Sequence, residues 1–227
     1  MDETLKRQQH WLLAMAAIIA TSGLVFELLA ATVASWVLGD TVAQFSKVIG
    51  IYLGAMGIGS YMSRWFDKQL PTRFVQIELA IAVVGGSMVA LLFALINQRV
   101  AFQGVLFGSV ILVGILVGME IPLLLRIIGE REDFRGGIAK ILAFDHLGSL
   151  IGSLAFAFVL IPWLGVLRTS VVLGLCNAFV ALTAARLFKT ELLRPRTHLF
   201  GATIVLGALL AMYATAPQIV RRLEALS

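Results

Sequence analysis

The chain has little charge and almost no cysteine, and both shortages limit what it can be. Only 14% of its 227 residues are charged, whereas 59% are hydrophobic; soluble domains carry about 25% charged residues. This composition excludes an ordinary soluble domain and a disordered protein. The single cysteine, Cys176, excludes an intramolecular disulfide and therefore a disulfide-rich scaffold.

The motifs of common catalytic and nucleotide-binding sites are also missing. The sequence has no GxGxxG or Walker A loop, no HExxH motif and no Cys/His cluster. The Ser22-Gly23 pair lacks the strand-turn-helix context of a nucleophile elbow. The residues therefore predict no catalytic group, no metal site and no cofactor site in this chain.

Long apolar runs make up most of the sequence. Each is long enough to cross the roughly 30 Å hydrocarbon layer as a helix, at about 1.5 Å per residue. The runs are continuously apolar, which excludes the alternating pattern of transmembrane strands. The sequence predicts an all-α fold, a polytopic membrane bundle forming one domain over residues 1–227 with about seven transmembrane helices, at 11–38, 42–65, 74–96, 100–125, 138–163, 166–187 and 199–216.

Basic residues are distributed unevenly between the predicted loops. With the N-terminus in the cytoplasm, thirteen lysines and arginines lie inside and four lie outside. The positive-inside rule therefore predicts a cytoplasmic N-terminus. This topology also explains the net charge of +5, so no nucleic-acid partner is expected. Seven spans would place Ser227 outside.

Ionisable side chains inside the predicted spans are the candidate functional residues, because charge costs a few kcal/mol at the bilayer centre. The helical rise places several carboxylates in the inner half of the bundle, which favours a cavity that binds a cation or relays protons. The primary candidates are Glu27, Glu120 and Asp145. Secondary candidates are Glu78, which is close enough to Arg73 to reach the interface, together with His146 and Lys47.

The same carboxylates have a structural alternative. Glu120 could form an ion pair with Lys140, and Asp145 could form one with Arg126. Pro122 lies two residues after Glu120 and frees backbone acceptors one turn earlier, which is typical of polar membrane sites. An ordinary proline kink is the competing interpretation.

Small residues recur at helical spacing and indicate helix contacts. Membrane helices associate through close packing of small residues, since lipid is as apolar as leucine. We therefore predict packing contacts at Gly50, Gly54 and Gly57 in the second span, and at Gly148 and Gly152 in the fifth.

Several segments, taken in order, resemble one known family. They are residues 22–28 (SGLVFEL), 38–42 (LGDTV), 54–60 (GAMGIGS), 118–124 (GMEIPLL), 143–152 (AFDHLGSLIG) and 160–165 (LIPWLG). The combination is similar to the N-terminal membrane domain of membrane-fused spermidine synthases (polyamine aminopropyltransferases), over about residues 20–185. In that family a helical bundle precedes a Rossmann-like domain, which transfers an aminopropyl group from decarboxylated S-adenosylmethionine to putrescine.

The resemblance implies a membrane domain whose catalytic domain and cofactor lie elsewhere. The catalytic residues of the family have no counterpart in this sequence, so the resemblance does not assign the enzymatic activity to it. The expected role is to anchor the aminopropyltransferase and to bind or pass a polyamine at Glu27, Glu120 and Asp145. The expected partners are the bilayer, a polyamine, a C-terminal or separate catalytic domain and a second copy of the chain. The alternatives are a stand-alone secondary transporter of a cationic metabolite and a ligand-free scaffold.

The resemblance and the topology are in tension at the C-terminus. An enzyme that uses a cytosolic cofactor is expected inside, whereas seven spans place Ser227 outside. Reversing the bundle would put thirteen basic residues outside, against the positive-inside rule.

Overall fold

All of the long secondary-structure elements in the described part of the chain are helices. The computed structural model describes the backbone of residues 3–129 and 134–224, and the side chains of 10–129 and 136–216. Within these residues there is no β-strand. The helices are α1 (Glu3–Leu38), α2 (Thr41–Met62), α3 (Leu70–Ala94), α4 (Arg99–Gly129), α5 (Phe134–Ala155), α6 (Gly165–Leu187) and α7 (Pro195–Glu224), with a 3-10 turn at Ser63–Trp65 and a π-helix at Phe156–Leu164.

Six helical stretches in the described residues are long and apolar enough to cross a membrane. They are His10–Leu38, Thr41–Trp65, Leu70–Ala94, Arg99–Gly129, Gly136–Leu187 and Pro195–Ala216. The all-α prediction is thus confirmed for this part of the chain, but the predicted number of seven is wrong. The fifth and sixth predicted spans form one stretch because Pro162 does not end the helix. It lies inside the π-helix Phe156–Leu164, whose altered bonding accommodates the missing amide donor.

The longest stretch bends sharply at Gly165. This residue has φ 72° and ψ 174°, a conformation that favours glycine. The hydroxyl of Thr169 donates a hydrogen bond of 3.1 Å to the carbonyl oxygen of Leu160, nine residues earlier. In a straight helix these residues would be about 13 Å apart. The chain therefore bends at Gly165, and α6 leaves in a new direction.

Helix α1 lies at the centre of the bundle. It contacts α2, α3, α4, α5 and α6, while α3 packs closely on α6 and α2 packs closely on α4. Its largest fully buried side chains are Met15, Ile19, Phe26 and Leu29. Ser22 and Glu27 on α1 are consequently buried inside the protein.

The predicted packing glycines lie in two different surroundings. A Cβ at Gly148 would overlap the backbone of Ala17 on α1, and one at Gly152 would lie 3.1 Å from the Cα of Thr21. These two glycines therefore allow α5 to approach α1 closely. The carbonyl oxygen of Gly148 also accepts a hydrogen bond of 2.8 Å from the Thr21 hydroxyl.

The three glycines predicted to pack in α2 face away from the other helices. No atom lies within 4 Å of a Cβ placed on Gly50, Gly54 or Gly57, so the contacts predicted for them are absent from the described part of the chain. The inward face of α2 carries Val48, Tyr52, Ala55 and Gly59 instead. Helical spacing shows which residues share a face but not whether that face meets protein or lipid, because both are apolar.

Candidate functional site

Three predicted carboxylates from three helices line a single cavity. Glu27 of α1, Glu120 of α4 and Asp145 of α5 line a cavity of about 190 Å³, to which α2 contributes Tyr52 and Leu53. The remaining lining side chains are mostly apolar, among them Ile19, Met56, Val117 and Ile121. The structure therefore brings the three primary candidates together.

The carboxylates are held by well-packed helices. Glu27 is 7% exposed and Glu120 is 2% exposed, while Asp145 is partly buried. Glu27 lies one helical turn after Gly23, whose carbonyl oxygen accepts a hydrogen bond of 2.8 Å from the Tyr52 hydroxyl. This bond fixes α2 against α1 at the cavity wall.

No base neutralises these acids among the residues that the structure describes. The alternative pairs of Glu120 with Lys140 and of Asp145 with Arg126 do not form there. Arg126 instead lies 3.8 Å from a carboxylate oxygen of Asp67 and donates to the carbonyl oxygen of Ser63 at 3.2 Å. Among the described residues, the basic group recorded beside Asp145 is the ring of His146, whose Nδ1 lies 3.6 Å from Oδ2. Within the described residues the cavity is thus acidic without a compensating arginine or lysine.

Glu78 is more deeply buried than its place in the sequence indicated. It is 0% exposed, and Glu120 is an ionisable group close enough to interact with it. Among the residues that the structure describes, neither oxygen of Glu78 has a hydrogen-bond partner, and neither does Oε1 of Glu120. The nearby base Arg73 contacts Gln76 and the Phe66 ring instead. Glu78 therefore belongs with the acidic site and does not reach the interface.

The other two secondary candidates do not line the cavity. The side chain of His146 is 81% exposed, because it follows Asp145 directly and projects from a different side of α5. Lys47 is also exposed. Neither contributes to the cavity wall.

Tyr52 and Ser149 line the cavity but are absent from the sequence candidates. Ser149 could have been found, since it lies four residues after Asp145 and thus on the same helical face. Tyr52 had a weaker signal, a phenol within an apolar span, which needs a hydrogen-bond partner when buried. Its partner, the Gly23 carbonyl, lies on another helix and is set by tertiary packing.

The chemistry of the lining would allow an organic cation to bind in this cavity. No group of three His, Cys, Asp or Glu side chains within the described residues could hold a metal. At about 190 Å³ the cavity is smaller than the roughly 300–1,000 Å³ of drug-sized pockets. Its carboxylates could pair with an ammonium group, while the apolar walls would cover an attached aliphatic chain.

Comparison with known proteins finds relatives that match one part of their length. The chain is 43% identical over 195 residues to a polyamine aminopropyltransferase of Leptospira interrogans, an overlap of 84% of this chain and 39% of that protein. It is 45% identical over 178 residues to polyamine aminopropyltransferase 2 of Ralstonia nicotianae, with 77% of this chain and 35% of the relative covered. It is 37% identical over 211 residues to polyamine aminopropyltransferase 2 of Streptomyces coelicolor, an overlap of 88% of this chain and 38% of that protein.

These relatives confirm the predicted resemblance for a partial region. The chain spans between about a third and two fifths of the length of the relatives that it matches. No protein-family model matches the chain, and no solved structure is significantly similar to it.

Proposed function

Because this chain is homologous to one region of proteins named polyamine aminopropyltransferase, we propose that it is a membrane-embedded region of such a protein and that its acidic cavity binds an ammonium group of a polyamine. The observation that carries this proposal is the meeting of Glu27, Glu120 and Asp145 in one cavity without a described basic partner. A helical bundle that only spans the membrane would not need these carboxylates.

The physical argument concerns the cost of burying charge. An ionised carboxylate in an apolar environment is strongly unfavourable unless a cation or hydrogen-bond donors compensate it. A polyamine supplies ammonium groups separated by methylene chains. Its charges would satisfy the carboxylates, and its methylenes would contact the side chains of Ile19, Leu53 and Met56 that line the same cavity.

The proposed region anchors an aminopropyltransferase at the bacterial inner membrane. In this proposal the catalytic domain, which would bind decarboxylated S-adenosylmethionine, corresponds to the part of the relatives that this chain does not match. The N-terminus is on the cytoplasmic side in this proposal, as the distribution of basic residues favours. A cavity in the anchor would place polyamine binding next to the enzyme that consumes or produces polyamines.

The proposal is tested by binding of radiolabelled spermidine to the full-length protein in lipid nanodiscs. Glu120→Gln keeps the size of the side chain but removes its charge, so we expect affinity to fall at least about tenfold, the usual minimum for losing one partner of a buried charge pair. Asp67→Asn is the matched control, because Asp67 is exposed and pairs with Arg126 outside the cavity. Identical isotherms for wild type and Glu120→Gln would refute the polyamine site and favour a ligand-free scaffold.

A second candidate function is passage of the cation across the membrane. One observation favours it: the acidic groups continue beyond the cavity, from Glu120 on α4 to the buried Glu78 on α3. Uptake of labelled spermidine into proteoliposomes that hold the full-length protein distinguishes a carrier from an anchor. Binding without uptake would refute the carrier function and support an anchor that binds the polyamine.

A further inference from the structure

The segment 61–67 at the end of α2 carries an arginine that lies over an aromatic ring. The guanidinium carbon of Arg64 is 3.7 Å from the centre of the Tyr61 ring and 5.9 Å from that of the Trp65 ring. Attraction between a cation and an aromatic face stabilises this position. The N–H donors of a guanidinium are spread around its edge, so Arg64 still presents donors to an acceptor beside it.

Two further arginines reach the same segment from neighbouring helices. The guanidinium carbon of Arg73 on α3 lies 5.6 Å from the centre of the Phe66 ring. Arg126 on α4 donates a hydrogen bond of 3.2 Å to the carbonyl oxygen of Ser63, the residue before Arg64. The packing of α2, α3 and α4 therefore brings three guanidinium groups to one end of the bundle.

Acidic side chains do not balance this charge within the described residues. The segment contains one acid, Asp67, which is 83% exposed and lies 3.8 Å from Arg126. Neither Arg64 nor Arg73 forms an ion pair with a described carboxylate. The exposed Lys68 adds a fourth positive charge. We call these four basic residues the arginine patch, and its excess of positive charge favours an anionic partner.

The arginine patch lies where a spanning helix ends. The apolar stretch Thr41–Trp65 is long enough to cross the hydrocarbon layer, so its last residues reach the depth of the lipid headgroups. Tyr61 and Trp65 are 58% and 61% exposed there. Exposed tyrosine and tryptophan are typical of the membrane–water interface, because each has an apolar ring and a polar group. In the proposed orientation this end of α2 is on the cytoplasmic side.

We propose that the arginine patch binds the phosphate group of an anionic phospholipid in the cytoplasmic leaflet. The phosphate oxygens accept hydrogen bonds from the guanidinium edges, and one guanidinium can hold a phosphate through two parallel bonds. The exposed rings of Tyr61 and Trp65 contact the glycerol group and the start of the acyl chains. A soluble phosphate would use the guanidinium groups alone, whereas a lipid also uses the rings beside them.

This site is separate from the acidic cavity. No residue of the arginine patch lines that cavity, and the charge of the two places has opposite sign. The inference therefore does not depend on polyamine binding, and the failure of either proposal is distinguishable from the failure of the other.

The experiment measures binding of labelled phosphatidylglycerol to the full-length protein in detergent micelles, with phosphatidylcholine as the competitor without net charge. Wild type should prefer phosphatidylglycerol. Arg64→Gln should lower this preference about fivefold, the usual contribution of one basic residue near an anionic lipid surface. Lys47→Gln is the matched control, because it removes the same charge from an exposed position at the opposite end of α2. It should keep the wild-type preference.

Two more variants separate a specific site from a general effect of charge. Arg64→Lys keeps the charge but loses the planar group with several donors, so it should not restore the full preference. Tyr61→Leu keeps every charge and an apolar side chain but removes the ring beneath Arg64. The preference should then fall about two- to fivefold, as expected from an exposed cation–π contact.

Each outcome supports or overturns the lipid site. Equal binding of both lipids by wild type overturns it and favours an acidic protein surface as the partner. Equal losses in Arg64→Gln and Lys47→Gln also overturn it, as does an unchanged preference in both Arg64→Lys and Tyr61→Leu. Displacement of the lipid by the same concentration of glycerol phosphate would assign the patch to a soluble phosphate ester instead. If Arg64→Gln cannot be purified, Arg64→Lys and Tyr61→Leu decide.

Discussion

The contact between α2 and α4 forms one wall of the cavity and permits no side chain at Gly118. A Cβ at this position would overlap the carbonyl oxygen of Met56 and lie 2.7 Å from its Cα. Met56 lines the cavity, as does Val117 beside Gly118. Since ordinary carbon–carbon contacts are about 3.5–4.0 Å, Gly118→Ala must push the two helices apart by roughly 1 Å at this point.

The expected cost of Gly118→Ala is about 1–3 kcal/mol, the usual range for overpacking a well-packed interior. Part of it arises because a gap of 0.5–1 Å forfeits about a quarter to a half of the local dispersion energy. Thermal unfolding of the purified protein should therefore show a Tm lower by roughly 2–4 °C for each kcal/mol. Spermidine affinity should fall as well, because the displaced wall carries Met56.

Gly108→Ala is the matched control on the same helix. No atom lies within 4 Å of a Cβ at Gly108, so this change removes a flexible residue from α4 without a new contact. It should leave Tm unchanged or raise it, since alanine is favoured over glycine in a helix by about 1 kcal/mol. If Gly118→Ala and Gly108→Ala unfold at the same temperature, the argument that close packing maintains the cavity is wrong.

Two further predictions concern the path of the chain. Gly165→Ala places a side chain at φ 72°, which should cost about 1–3 kcal/mol of strain and lower Tm; an unchanged Tm would show that the turn does not need glycine. A reporter enzyme active only in the cytoplasm, inserted between α6 and α7 near Lys189, should be active, because four basic residues lie in and beside this loop. Activity only in the opposite compartment would refute the proposed orientation.

Much of the helical layout was predictable from local patterns. The break at Gly39 and Asp40 is real, and both residues have positive φ, as short turn-forming residues tolerate. Pro162 was misleading, because it marks a helix end in most contexts. Here a π-helix carries the chain past it to Gly165, and that adjustment depends on neighbouring helices.

The depth of the acidic site in the bundle could be predicted from the sequence, but not the full set of residues that form it. Helical rise alone places Glu120 and Asp145 at similar heights, and both face the cavity together with Glu27. Glu78 has a comparable signal in the sequence, yet its proximity to Arg73 pointed toward the interface. The rotation of α3 against α4 and α6 brings it close to Glu120 instead.

The sequence by itself determined that the chain is a bundle of long apolar helices with carboxylates inside, because both properties follow from composition and helical rise. Only the tertiary structure decided which helix faces meet. Lipid and protein interior are equally apolar, so no hydrophobic pattern distinguishes the outward glycines of α2 from the inward Gly118 and Gly148. The rotation of each helix comes from contacts with its neighbours, and that rotation brings three separate acids to one cavity and buries Glu78.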